Sequence, residues 1–190
     1  MRTLVDQLEQ SLGAKLFYLS LFGTLAIPDI AGALDSDDGH ANGERYAQWF
    51  DAWVRPVHGE SVDVAFIRDL PKSVSERFQL PQSGNPLTGE ACYQFRCSML
   101  HQGRSQLRKS PYERVLFVEP GTSTFTIHAS VLSGALVIDL PTFCGEVVTG
   151  TRRWLDQAEG SAKFQANYER FAKRHPKGLA PYIVGPPVIG

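Results

Sequence analysis

The spacing of apolar residues along the chain predicts a mainly helical protein. Leu4, Leu8 and Leu12 recur every four residues, and the apolar stripe continues beyond them, as is typical of a helix that buries one face. We therefore predict a helix over residues 3–34. Pro28 is expected to kink or split this helix, because proline removes a backbone donor and clashes with the preceding turn.

The same spacing predicts four further helices, over residues 43–55, 88–103, about 140–158 and 162–175. The helix over 88–103 has clear signals at both ends. Thr88 is a suitable N-cap, Glu90 complements the helix dipole in the first turn, and Gly103 suits the left-handed position that ends a helix. Residues 57–86 predict no clear element: the stretch "SVDVAFIRDLP" is consistent with a strand or a short helix, and "LPQSGNPLTGE" is a loop rich in turn residues.

Two β-branched and aromatic runs near the C-terminal part predict a small β-hairpin. The runs "RVLFVEPG" and "TFTIHASVLSGALVIDL" are expected to pair around a turn at Glu119–Ser123. The final residues, 177–190, are too rich in proline and glycine for a regular element and are expected to form a mobile tail. The pattern therefore predicts a single mainly α domain over residues 1–176, with a hairpin at about 113–139, followed by this tail.

Composition narrows the class of protein. The chain has 190 residues, of which 43% are hydrophobic and 21% are charged, as in an ordinary soluble globular domain. The net charge of −1 provides no overall positive field, which counts against a dedicated DNA-binding module. Any chemistry on phosphate must therefore depend on a local cluster of cations.

Cysteines and apolar stretches bear on location. The three cysteines, Cys92, Cys97 and Cys144, have no metal-ligand spacing, and their odd number is typical of a reducing compartment. No signal peptide is evident at the N-terminus. The apolar stretch 16–34 is long enough to cross a membrane, but it contains Pro28 and a charged residue, so we interpret it as a core helix. We expect a cytoplasmic protein.

The helix over 88–103 carries the candidate chemistry in the stretch "YQFRCSMLHQG". Arg96 and His101 are five residues apart, so they lie about 140° apart around the helix. They can share one cleft if the arginine curls over Leu100 or Tyr93. A two-fold axis between two copies of the helix would also bring an arginine and a histidine of each copy together.

Arg96 and His101 have the chemistry that RNA cleavage requires. An imidazole can take the proton of a ribose 2′-hydroxyl or protonate the leaving 5′-oxygen. A guanidinium binds phosphate in a fork and stabilises the charge of the transition state. This chemistry requires no metal or cofactor. The spacing alone leaves a structural pair, a phosphate clamp and a catalytic pair all open.

The segment from Arg96 to His101 has the form R-x4-H, near the end of a helix and followed by a glycine turn. It resembles the signature of the HEPN superfamily (higher eukaryotes and prokaryotes nucleotide-binding), and "FRCSMLHQG" is similar to the RN-x3-H-G form of that motif. The resemblance implies a helical bundle that acts as a homodimeric, metal-independent ribonuclease in toxin–antitoxin, phage-defence or RNA-processing systems, with an antitoxin as an expected partner. It also implies that Arg96 binds phosphate and His101 is the general acid or base.

The sequence departs from this family pattern at the position after the arginine. Active members usually carry Asn, Asp or His there, whereas this chain has Cys97, and a thiol is a poor hydrogen-bond donor. The predicted hairpin is also an addition to the minimal bundle. The alternatives are a non-catalytic HEPN-like module that binds a protein or nucleotide, and a structural helical protein in which Arg96 pairs with Asp29.

Further residues were candidates for supporting roles. Asp29 lies in the most apolar segment and needs a partner, for which Arg96 or His101 is a candidate; the other interpretation is a cap for a helix that restarts after Pro28. Tyr93 either orients a phosphate or base or packs against a neighbouring helix.

Three cations and a second histidine complete the candidates. Arg104, Arg108 and Lys109 either follow an RNA backbone or form a solvated basic loop. His128 alternates with Ile127 in a predicted strand and is expected to point outward.

Overall fold

The computed structural model describes residues 1–55, 71–79, 86–106, 110–121 and 127–190. Within this part of the chain the protein is mainly α-helical, which confirms the predicted class. The helices are α1 (Arg2–Gly13), α2 (Phe17–Leu34), α3 (Gly43–Trp53), α4 (Lys72–Ser75), α5 (Gly89–Gln102), α6 (Leu140–Ala158) and α7 (Ala162–Tyr168). The strands are β1 (Phe78–Gln79), β2 (Arg114–Val118), β3 (Ser130–Leu132), β4 (Ala135–Asp139), β5 (Arg174–His175), β6 (Gly178–Leu179), β7 (Ile183–Val184) and β8 (Val188–Ile189).

The predicted helix over residues 3–34 is two helices, and the break is not at Pro28. Helix α1 ends at Gly13, and Lys15 has a left-handed backbone with φ of 59° before α2 begins. Helix α2 continues through Pro28, which is buried in the core. Because α2 packs against α1, α3 and α6, tertiary contacts hold the helix together across the backbone hydrogen bond that proline cannot make.

Helix α2 is also the most apolar of the described helices. It is long and apolar enough to span a membrane by length and composition, and half of it is buried against other parts of the fold. Its buried side lies among large aromatic residues of the neighbouring helices, including Tyr46, Phe50 and Trp154, which are fully buried. This arrangement is that of a central helix in a packed core.

The predicted end signals of α5 are confirmed. The Thr88 side chain accepts a hydrogen bond from the backbone N–H of Ala91, and Gly103 has a φ of 63°. A side chain at Gly89 would lie 2.2 Å from the backbone oxygen of Ala47, so the glycine allows α5 to approach α3 closely. The Gly89 N–H also donates to the carboxylate of Asp51 on α3 over 2.9 Å. These contacts fix the position and rotation of α5.

The predicted hairpin around Glu119–Ser123 is wrong. The sheet has the strand order β1-β3-β4-β2, and β2 pairs with β4 in parallel rather than antiparallel register. The tight hairpin joins β3 to β4 through Ser133 and Gly134, whose φ angles of 50° and 80° match a type I′ turn. Strand β3 lies between β2 and β4 in the chain and runs antiparallel to β4, so the chain reverses direction twice between the two parallel strands.

The C-terminal residues contain short strands where no regular element was expected. Strand β5 pairs with β8, and β6 pairs with β7, each in antiparallel register. The last predicted helix ends at Tyr168, seven residues before the expected limit at 175. Pairing between β5 and β8 fixes residues 174–175 in an extended conformation, which excludes them from the helix.

Candidate functional site

Three side chains from α2 and α5 lie together at one place on the surface of the bundle. The Nε atom of Arg96 is 2.5 Å from the Oδ2 atom of Asp29, in an ion pair that does not have hydrogen-bond geometry. The Nη1 atom of Arg96 is 2.8 Å from the Nε2 atom of His101. The long arginine therefore spans the 140° between the two positions within a single chain. The expected pairing of Asp29 with Arg96 is confirmed.

The contact between Arg96 and His101 defines the form of the imidazole. A guanidinium has only donors, so a hydrogen bond between these groups requires an unprotonated Nε2 atom and a proton on Nδ1. The imidazole of His101 is exposed, whereas the side chains of Asp29 and Arg96 are 16% and 20% exposed. The cluster thus presents the His101 imidazole to solvent, in front of a half-buried ion pair.

Asp29 does not cap a helix, because α2 does not restart after Pro28. Burial raises the pKa of the Asp29 carboxyl above its usual value, and the nearby Arg96 guanidinium opposes this shift without cancelling it. The site therefore disfavours the charged form of the Asp29 carboxyl, and the Arg96 guanidinium favours it.

Tyr93 and Cys97 lie on the same helix beside this cluster. The Sγ atom of Cys97 is 3.9 Å from Nη1 of Arg96. Hydrogen bonding to the Cys97 thiol raises the pKa of Tyr93, whose ring packs at 5.4 Å from that of Tyr46 on α3. These contacts favour the packing interpretation of Tyr93. A side chain at Gly43, the first residue of α3, would lie 2.5 Å from this ring, so the ring packs against the start of α3.

Of the three candidate cations, Arg104 is the one that lies within the described residues. Arg104 is exposed and follows Gly103 directly, with its backbone N–H donating to the carbonyl of Ser98. Arg108 and Lys109 lie outside the described residues. The prediction that these side chains follow an RNA backbone stays a prediction.

The structure also contains a buried pair of His128 and Glu146 that the sequence pattern did not predict. The Nε2 atom of His128 lies 3.2 Å from the Oε2 atom of Glu146 on α6, with side chains that are only 8% and 10% exposed. The expectation that His128 points outward is wrong, because residue 128 precedes β3, and Ala129 has a left-handed φ of 49° that breaks the strand alternation. The available signal was Glu146, which lies next to Val147 on the apolar face of its helix.

The candidate functional site is therefore the cluster of Asp29, Arg96 and His101, with Tyr93 and Cys97 beside it. Within the described residues, no group of three or more His, Cys, Asp or Glu side chains forms a metal-binding arrangement. No family model, no curated protein and no solved structure matches this chain. The geometry of the cluster is thus the observation from which a function must be inferred.

Proposed function

We propose that this protein is a cytoplasmic, metal-independent endoribonuclease of the HEPN type, which acts as a homodimer in a toxin–antitoxin or phage-defence system. The observation that supports this function is the contact of 2.8 Å between Arg96 and His101, held in place by Asp29. A phosphate ligand and an acid–base group thereby lie side by side at the surface. An antitoxin protein that covers this cluster is the expected partner.

The geometry suggests how RNA binding would activate His101. In the free protein the lone pair of Nε2 accepts from Arg96 and cannot accept a proton from substrate. A phosphodiester offers the guanidinium two anionic oxygens, which are better acceptors than an imidazole nitrogen. When Arg96 turns its Nη1 atom to the phosphate, Nε2 becomes free to act as a base.

The reaction then proceeds by transfer within the RNA. His101 takes the proton of the 2′-hydroxyl, and the 2′-oxygen attacks the phosphorus while the bond to the 5′-oxygen breaks. Arg96 stabilises the negative charge of the pentavalent transition state. The imidazolium of His101 returns its proton to the leaving 5′-oxygen. The products are a 2′,3′-cyclic phosphate and a 5′-hydroxyl end, and no other reactant is consumed.

The decisive assay measures cleavage of a labelled RNA by the full chain in the presence of EDTA. We expect the wild type to cleave and to leave 2′,3′-cyclic phosphate ends. His101→Ala should reduce the rate at least about a hundredfold. His175→Ala, in the C-terminal segment, is the matched control and should retain wild-type activity. Equal cleavage by wild type and His101→Ala would show that the catalytic assignment is wrong.

A second function is favoured by Cys97, which occupies the position where active HEPN proteins usually carry Asn, Asp or His. In this case the chain is a non-catalytic module, and Arg96 with His101 binds a nucleotide or a partner protein. Absence of cleavage by the wild type, together with nucleotide or RNA binding that is lost in Arg96→Met, would favour this second function. A Tm that falls sharply in His101→Ala would instead favour a structural role for the cluster.

A further inference from the structure

An open groove lies where the C-terminal end of α2 meets α7 and the residues that follow it. Its volume of about 360 Å³ is within the range of about 300–1,000 Å³ that is typical of sites for small molecules. The apolar part of its lining includes Ile30, Leu34 and Phe171. The polar part consists of His40, Asn167 and Arg170. The groove therefore places cationic and apolar groups side by side.

A buried asparagine fixes the position of the Arg170 guanidinium. Asn167 is only 7% exposed. Its Nδ2 atom donates to three backbone carbonyls at the end of α2, those of Ala33, Leu34 and Ser36, over distances from 2.7 to 3.3 Å. Because the amide nitrogen faces these carbonyls, Oδ1 faces the other way, and it accepts from Nη2 of Arg170 over 2.7 Å. The guanidinium is thus oriented before any ligand binds.

The loop after α2 brings a second nitrogen group to the same groove. Gly39 has a left-handed backbone with φ of 73°, and a side chain at this position would lie 2.7 Å from Nη2 of Arg170. The glycine therefore allows the loop to pass directly beside the guanidinium. His40 is the next residue, is exposed and lines the groove. The guanidinium and the imidazole consequently belong to one polar end of the groove.

No carboxylate in the described part of the chain forms an ion pair with Arg170. A guanidinium has several N–H donors, and the hydrogen bond to Asn167 uses only one of them. The acidic residues nearest in sequence pair with other cations, Asp37 with Lys163, Asp38 with Arg45 and Glu169 with Lys173. The charge of Arg170 is thus available to an anion from outside the chain.

We propose that this groove binds a small amphipathic carboxylate, of which a medium-chain fatty acid is the simplest form. The carboxylate accepts two parallel hydrogen bonds from Arg170 and a further one from the imidazole of His40. The aliphatic chain lies against Ile30, Leu34 and Phe171, where contact removes apolar surface from water. A phosphate monoester fits less well, because its charge of about −1.5 to −2 exceeds what one guanidinium and one imidazole supply beside apolar side chains.

The experiment is an isothermal titration of the full chain with octanoate at pH 7. We expect saturable binding with a submillimolar Kd. Arg170→Gln should raise this Kd at least about tenfold, because it removes the charge and the fork that hold the carboxylate. Arg153→Gln is the matched control, since Arg153 is an exposed arginine of α6 that does not line the groove, and it should leave the Kd unchanged. Acetate lacks the chain and octanamide lacks the charge, so each should bind at least about tenfold more weakly than octanoate.

Three results would overturn the proposal. The first is a wild type that shows no saturable binding of octanoate. The second is equal binding of octanoate by the wild type and Arg170→Gln, or equal binding of octanamide and octanoate, since the charge then has no part in binding. The third is octyl phosphate that binds more tightly than octanoate. Circular dichroism and Tm show whether Arg170→Gln is folded, and Arg170→Lys, which keeps the charge without the fork, replaces it if it is not. The titration measures binding directly, so its result does not depend on whether the protein cleaves RNA.

Discussion

The ion pair between Asp29 and Arg96 is expected to lower the stability of the protein while it organises the site. Burial raises the pKa of Asp29 even though a guanidinium lies against it, which means that desolvation outweighs the attraction of Arg96. Replacing Asp29 with the isosteric Asn removes the desolvated charge. We therefore expect Asp29→Asn to be as stable as the wild type or more stable at pH 7.

The two partners of this pair should not be equivalent. At 2.5 Å and an effective dielectric constant of about 20, the gross attraction is about 7 kcal/mol, and partial exposure of both side chains screens much of it. Arg96→Met leaves a half-buried carboxylate without its cation, so we expect a loss of about 2 kcal/mol in the free energy of unfolding. The double variant should recover most of this loss, because both charges are then absent.

The pH dependence of stability shows whether burial or Arg96 has the larger effect on the pKa of Asp29. A carboxyl whose pKa is raised in the folded state stabilises the fold below its unfolded pKa of 3.8, and this contribution is lost as the pH rises through the folded pKa. The stability of Asp29→Asn relative to wild type should therefore increase between pH 4 and pH 7. Urea unfolding followed by circular dichroism measures the free energy of unfolding of the wild type, Asp29→Asn, Arg96→Met and the double variant. If Asp29→Asn instead becomes relatively less stable as the pH rises, Arg96 outweighs burial and the reasoning is wrong.

Three further predictions concern thiols and glycines. Iodoacetamide at pH 8 should modify Cys97 in the folded protein, whereas Cys92 and Cys144 should react only on unfolding, because burial raises their pKa to about 12 and about 11. Mass spectrometry identifies the modified cysteines. Equal modification rates for the three thiols in the folded protein would contradict this prediction. The raised pKa of the Cys144 thiol stabilises the fold below the unfolded pKa of 9.0, and this stabilisation is lost as the pH rises towards the folded pKa. Between pH 7.5 and pH 10 the free energy of unfolding should therefore decrease in the wild type, and in Cys144→Ser this decrease should be smaller by about 1.4 kcal/mol. Gly89→Ala should destabilise the fold by about 2 kcal/mol in urea unfolding, because the added methyl group clashes with α3. Gly145→Ala should stabilise it by about 0.5–1 kcal/mol, because this exposed helical position has no atom within 4 Å of the added methyl group. A loss of stability in both variants would refute the explanation that Gly89 is needed for the close approach to α3.

Some features of this protein follow from local sequence alone. The limits of α5 were predicted because Thr88 and Gly103 act within one turn of the helix ends, through hydrogen bonds and a backbone angle that need no distant partner. The mainly α class followed from the spacing of apolar residues, which is also a local property of the sequence. Arg96 and His101 could be named as candidates because their chemistry belongs to the side chains themselves.

Other features were decided only by contacts between distant parts of the chain. Helix α2 runs through Pro28 because the helices around it hold it, and that packing is invisible in the local pattern. The parallel pairing of β2 with β4 leaves β3, which lies between them in the chain, on the far side of β4, and local turn signals cannot predict that strand order.

The candidate site likewise depends partly on local sequence and partly on contacts between distant residues. The helical wheel places Arg96 and His101 about 140° apart, and their contact requires the arginine to curl towards the imidazole. Asp29 lies beside that arginine on a different helix, 67 residues earlier in the chain. The sequence by itself determined which groups are present, whereas only the tertiary structure determined that they meet, because a half-buried ion pair forms where two separate helices pack together.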